Sequence, residues 1–191
     1  KIPYEQIPIH LVQGKQLTPE YQKVNPQLLV PALTLPESNQ VLTQSMAIIE
    51  YLDETNKETP LLPSDPIARA QVRAFSQIVA CDIHPVDNLR VLKYLKHELD
   101  VNDEQKMKWY FHWLELGFNA MEKLLQSYHG LFCFGDNPTL ADVCLIPQVY
   151  NAKRFEFSLD NYPLIKKIDD YCAKQNAFIK ALPENQPDAE Q

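Results

Sequence analysis

Apolar residues recur at alternating intervals of four and three over Met107, Phe111, Leu114, Phe118, Met121 and Leu125. That spacing puts the whole set on one face and predicts a long amphipathic helix. Ala68, Val72, Phe75, Val79 and Ile83 form an equivalent stripe upstream, and Pro85 is expected to kink or split that helix just after His84. Residues 142–154 are apolar on more than one side, which predicts a central helix.

The amino-terminal part changes pattern more quickly. Ile2, Tyr4, Ile7, Ile9 and Leu11 predict a strand with one buried face. Thr18-Pro19-Glu20 signals a helix start with Thr18 as N-cap, and Asn25-Pro26 stops that helix. Residues 30–35 read as a strand, 36–40 as a turn, 41–43 as a short partner strand and 45–55 as a helix. The order describes an α/β unit with a hairpin near its end. Three prolines in TPLLPSDP mark a linker, everything after it is helical in pattern, and the polar tail from Pro183 is expected to fray. The division is an α/β domain over 1–58, a linker over 59–65 and an all-helical domain over 66–191.

Charge narrows the partners. Eighteen Lys and Arg against 25 Asp and Glu leave a formal net charge of −7, with no Lys/Arg run longer than two. Nothing in that distribution is an electrostatic footprint for nucleic acid or an anionic membrane. A small anion would need a local positive feature such as a helix N-terminus or a placed arginine. The four cysteines contain no C-x-x-C pair and read as reduced core thiols of a cytosolic protein. The five histidines lack ligand spacing, so no metal site is expected. No apolar run approaches the ~18 residues of a membrane span, and no signal-peptide pattern opens the sequence, which favours a soluble, cytoplasmic protein.

Five features could carry chemistry. Val30-Pro31 is expected to be trans from sequence alone, although Pro at a strand start leaves a backbone edge open to an extended peptide ligand. Gln44-Ser45 stands at the mouth of a helix, with Ser45 as an N-cap; the pair either caps the helix or also holds a carboxylate at its positive end. Thr139 and Asp142 have capping-box spacing and read as structural. Arg154 lies in a last helical turn, where it complements the helix C-terminus or turns inward as a fork for a substrate carboxylate. His84 and Asn88 stand four apart on an expected helix face; His84 is a core residue, a surface residue or part of a cleft.

Their order along the chain is more specific than any one of them. N-P-x-x-x-V-P at 25–31, Q-S-x-A-I-I-E-Y-L at 44–52 and L-L-P-x-D-P at 61–66 resemble a glutathione transferase. I-H-P-x-x-N-L-R-V-L at 83–92, G-F-N-A-x-E at 117–122, G-D-x-P-T-L-A-D-x-C-L-I-P-Q at 135–148 and N-A-x-R-F at 151–155 narrow the resemblance to the zeta class, the maleylacetoacetate and maleylpyruvate isomerases.

The resemblance implies a glutathione transferase fold, with a thioredoxin-like N-terminal domain, here incomplete, followed by an all-α C-terminal domain, in a homodimer. Pro31 matches the family's cis-proline, and Val30 then offers its main chain to the cysteinyl unit of glutathione. Gln44 and Ser45 match the residues that hold the γ-glutamyl end, and Gln27 is a further glutathione contact. His84 and Asn88 match positions facing the tripeptide and the substrate cleft, His84 departing from relatives that carry Gln there. Arg154 matches the arginine that fixes a substrate carboxylate. Family members carry, ahead of the segment where this sequence opens, a strand and a helix with a Ser-Ser-Cys motif that stabilises the glutathione thiolate. The expectation is that this segment exists beyond the first residue here, since losing it would remove a core strand as well as the chemistry.

The implied activity is glutathione-dependent cis–trans isomerisation of a maleyl keto acid, in aromatic amino-acid or aromatic-compound breakdown. The alternatives are a transferase that conjugates or dehalogenates small electrophiles, and a non-catalytic interaction protein on the same fold.

Overall fold

Prolines and short polar side chains decide where most helices of this protein begin. The computed structural model describes residues 2–189. Thr18 caps helix α1 (Pro19–Val24) by accepting the Tyr21 N–H, with Pro19 at the first helical position. Asp65 does the same for α3 (Pro66–Gln77), accepting the Ala68 N–H at 2.8 Å ahead of Pro66. Asn102 and Gln105 close a reciprocal capping box at the start of α5 (Asp103–Leu125).

The chain divides into two units, residues 1–60 with 187–191, and residues 61–186. That boundary falls inside the expected linker. In the first unit, strands β1 (Ala32–Thr34) and β2 (Val41–Thr43) pair antiparallel with Leu33 opposite Leu42, and helix α2 (Ser45–Thr55) follows. The strand expected over residues 2–11 does not form. The sheet of the described residues is β1–β2 alone, so no neighbour offers a ladder to that segment. Its alternating apolar side chains stay in solvent, with Tyr4 78% and Ile7 74% exposed. The strand expected over 30–35 shortens to three residues.

The second unit is helical: α3, then α4 (Leu89–His97), α5, α6 (Leu140–Arg154), α7 (Pro163–Cys172) and α8 (Asn176–Ala181). Its core is the stripe read from the sequence: Val72 and Phe75 are buried on α3, which packs against α6, and Val79 and Ile83 on the turn that follows, which packs against both α5 and α6. Between α3 and α4 the chain widens into a π-helical turn over Ile78–Ile83 before the Pro85 break. Gly117 admits this turn: a Cβ there would overlap the Ile83 side chain. The central position of α6 holds, with Leu140, Ala141, Asp142 and Leu145 fully buried. Asp142 accepts the N–H of Cys133 at 2.8 Å through one oxygen, and the N–H and hydroxyl of Thr139 at 2.8 and 3.0 Å through the other. The tail does not fray at Pro183: Asn185 donates to the Ile179 carbonyl and Gln186 to those of Lys180 and Leu182, tying it to the end of α8.

Candidate functional site

In the first unit, a buried asparagine shapes the loop that presents the candidate ligand-binding residues. Asn25 is 2% exposed; its side chain accepts the Gln27 N–H at 3.0 Å and donates to the Leu29 carbonyl at 2.7 Å. The Tyr21 hydroxyl donates to the same carbonyl at 2.8 Å. These bonds stand in for a regular ladder and hold residues 25–29 while Leu28 adopts a left-handed conformation at φ 59°. The loop delivers Gln27 and Val30 to the surface, both exposed. The Val30–Pro31 bond is cis, against the trans expectation from sequence alone and in line with the family resemblance.

Gln44 is the N-cap residue of α2, and its side chain makes no cap hydrogen bond. It donates instead to the Gln27 side chain at 2.8 Å. Ser45 is therefore the first helical residue rather than the N-cap, because the chain turns one position earlier, at the positive φ of 70° adopted by Gln44. A non-glycine residue in that region is strained, and such strain gathers where geometry matters for binding. Gln27, Gln44 and Ser45 thus come together as exposed amide and hydroxyl groups at the positive end of a helix, the setting that suits a carboxylate.

In the second unit, His84 and Asn88 do not share a helix face, because Pro85 breaks the chain between them. His84 follows the π-helical turn and is exposed, yet the surrounding chain crowds its ring enough for desolvation to lower its pKa. Asn88 is the N-cap of α4 and accepts the Arg90 N–H at 3.1 Å. Arg154 is the last residue of α6 and exposed, with Lys153 beside it in an ion pair with the buried Asp169. The fork of Arg154 is available to a carboxylate while its charge also suits the helix C-terminus.

The profile for "Glutathione S-transferase, N-terminal domain" matches residues 1–55. A probable maleylacetoacetate isomerase of Vibrio cholerae is 44% identical over 97% of this chain and 86% of its own length. The solved holo structure of maleyl pyruvate isomerase, a bacterial zeta-class glutathione S-transferase, superposes with a TM-score of 0.95 at 43% identity, over 99% of this chain and 89% of that one. The chain belongs to the zeta-class glutathione transferases. Another solved relative, maleylacetoacetate isomerase from Anaeromyxobacter dehalogenans, has dicarboxyethyl glutathione and citrate bound in its active site; it is 36% identical with a TM-score of 0.88, over 100% of this chain and 87% of that one.

For a zeta-class chain, the sequence pointed to the displayed residues and passed over those that hold them. Asn25 was visible only as a helix stop before proline, and nothing local marks its side chain as buried. Two further polar groups escaped notice altogether. Asp87 is 5% exposed and Tyr110 fully buried, and neither carboxylate oxygen of the one nor the hydroxyl of the other has a hydrogen-bond partner among the described residues. Asp87 lies inside the quoted 83–92 motif, but at a position left as a wild card.

Proposed function

We propose that this protein catalyses glutathione-dependent cis–trans isomerisation of a maleyl keto acid, maleylacetoacetate or maleylpyruvate. The observation that carries the reading is the Gln27–Gln44 amide pair set beside Ser45 at the N-terminus of α2, on the same small unit as the cis Val30–Pro31 bond. That donor set fits glutathione: two amides, a hydroxyl and a helix N-terminus for the γ-glutamyl carboxylate, and an exposed Val30 main chain for the peptide portion. When bound, glutathione supplies a thiolate that adds to the activated cis double bond, allows rotation and is eliminated, so it is regenerated.

The protein's own groups divide the remaining work. Gln44 and Ser45 bind and orient through hydrogen bonds, and Gln27 fixes the Gln44 amide so that less rotamer freedom is lost on binding. Arg154 meets a substrate carboxylate and offsets negative charge as it develops on the keto acid. His84 and Asn88 belong to the substrate-facing side, where a neutral His84 can hydrogen-bond without adding charge. The dicarboxyethyl thioether held by the Anaeromyxobacter relative supports addition as the chemistry, because a thiol forms that group on adding to a butenedioate. The same reading makes the working form a cytoplasmic homodimer; among the described residues no helix is long and apolar enough to cross a membrane.

The test is an assay of both maleyl substrates with glutathione at catalytic concentration. Full conversion with total glutathione unchanged is expected; stoichiometric consumption of glutathione would replace the isomerase with a conjugating transferase. In the same assay Arg154→Ala should raise KM for the dicarboxylic substrate about tenfold or more and leave glutathione affinity intact. Equal loss of both in a folded variant would remove Arg154 from its role.

A further inference from the structure

Asp87 and Tyr110 are buried polar groups of the second unit with no assigned task, and the charge of the candidate carboxylate-binding arginine acts on Tyr110. Both are placed by contacts around them. The Trp109 indole donates to the Val86 carbonyl at 3.0 Å, which locks the residue before Tyr110 to the residue before Asp87. The Tyr110 ring packs on Phe155 at a centroid distance of 4.6 Å, next to Arg154 at the end of α6. The phenol accordingly feels both charges: burial, chiefly, and the Asp87 carboxylate raise its pKa, while the Arg154 guanidinium opposes them. Burial also pushes Asp87 up to about 7.

Buried polar groups in folded proteins are nearly always paired, and an unpaired one costs free energy. A purely structural pair would satisfy itself, and this one does not: both Asp87 oxygens and the Tyr110 hydroxyl lack partners among the described residues. The donor and acceptor inventory of the three side chains is compatible with a chain from arginine through phenol to carboxylate. Arginine only donates, a phenol accepts once its hydrogen is given away, and a carboxylate accepts. Arg154 is exposed and long, so its fork is free to change rotamer, and its charge already acts on the Tyr110 phenol.

We propose that Asp87 and Tyr110 are positioning residues for Arg154 once the substrate is bound: the phenol then donates to Asp87, accepts from the guanidinium, and so aims the arginine at the substrate carboxylate. The relay rests on the isomerase reading for the identity of the substrate, and on the geometry of the second unit for its existence. Holding the fork in this way strengthens carboxylate binding without adding a contact to the ligand.

The decisive experiment is a double-mutant cycle on the full-length, glutathione-loaded protein, with succinate as an unreactive dicarboxylate probe in calorimetry and isomerase kinetics in parallel. Tyr110→Phe keeps the ring and should weaken succinate binding about fivefold to tenfold, with glutathione affinity unchanged. In an Arg154→Ala background the same substitution should have no further effect. Asp87→Asn should act in the same direction less strongly and completes the cycle if Tyr110→Phe does not fold. In the kinetics the loss should fall on KM more than on kcat. Additive effects of Tyr110→Phe and Arg154→Ala overturn the relay, as does a wild-type protein that binds no succinate. Coupled succinate binding in a protein that does not isomerise would uphold the relay and overturn the isomerase reading.

Discussion

The two units solve the same problem, holding polar groups at defined positions, with opposite means. The first has few buried apolar side chains, Tyr21 and Ile48 chief among them, and shows Tyr4, Ile7, Val12 and Leu17 to solvent. Its site loop is held by side-chain hydrogen bonds from Asn25 and Tyr21 to main-chain groups. The second packs fully buried Phe75, Ile83, Leu114, Phe118, Leu140 and Leu145 together, and its polar groups are positioned by the helices that carry them. Hydrogen bonds to the backbone can specify a loop of irregular shape, but each is worth little net free energy; apolar burial gives stability without specifying direction. The difference predicts where each unit breaks.

The largest effect should follow from removing a feature of the second unit that resembles the first. Asp142→Ala leaves the N–H groups of Cys133 and Thr139 unpaired inside the core and should cost about 3–5 kcal/mol in urea unfolding. A loss under one kilocalorie would mean that packing alone holds this unit. Next, Gly117→Ala forces a methyl group into Ile83 and should cost about 2–3 kcal/mol, with Ile83→Val restoring part of it in the double variant. Both variants should spare the first unit.

Asn25→Ala sharpens the contrast from the other side. It should cost about 1–2 kcal/mol, speed hydrogen exchange across residues 21–30 and weaken glutathione binding, while exchange in α5 and α6 stays unchanged. Last is a pH effect confined to the second unit. Asp87 titrates at about 7 when folded and near 4 when unfolded, so the folded state holds the extra proton between those values. Its contribution is complete below the unfolded pKa and is lost as pH rises through the folded one. Unfolding free energy should therefore fall as pH climbs across that window, and Asp87→Asn should flatten the slope; an unchanged slope would assign it to other groups.

How much of this could be read from the chain follows the same division. The α5 stripe, the Thr18-Pro19 and Asp65-Pro66 helix starts and the proline-rich boundary all act through neighbours within a few residues, so their patterns survive in one dimension. The alternation at residues 2–11 is real, but a strand also needs a partner ladder, which no local pattern supplies. Ser45 looked like the cap because serine is a common one; only the positive φ of Gln44 moves the boundary back by one residue. The Gln27–Gln44 bond spans 17 residues, and the Glu122 carboxylate that accepts the Leu164 and Ile165 N–H groups at the start of α7 reaches across 42 and 43. Neither leaves a periodic trace. Motif order pointed to the displayed residues proposed for the site, whereas Asn25, Asp87 and Tyr110 became visible only through burial.

The Asp142 carboxylate has one more consequence. Its two oxygens tie residue 133 to residue 139, so the intervening chain, with Gly135 at φ 110°, is a closed ring of set circumference. Sequence length is constrained there as tightly as sequence identity: a single inserted or deleted residue should disrupt the ring even if every side chain is kept. The exposed stretch 54–60 closes no such ring and should accept an inserted tag.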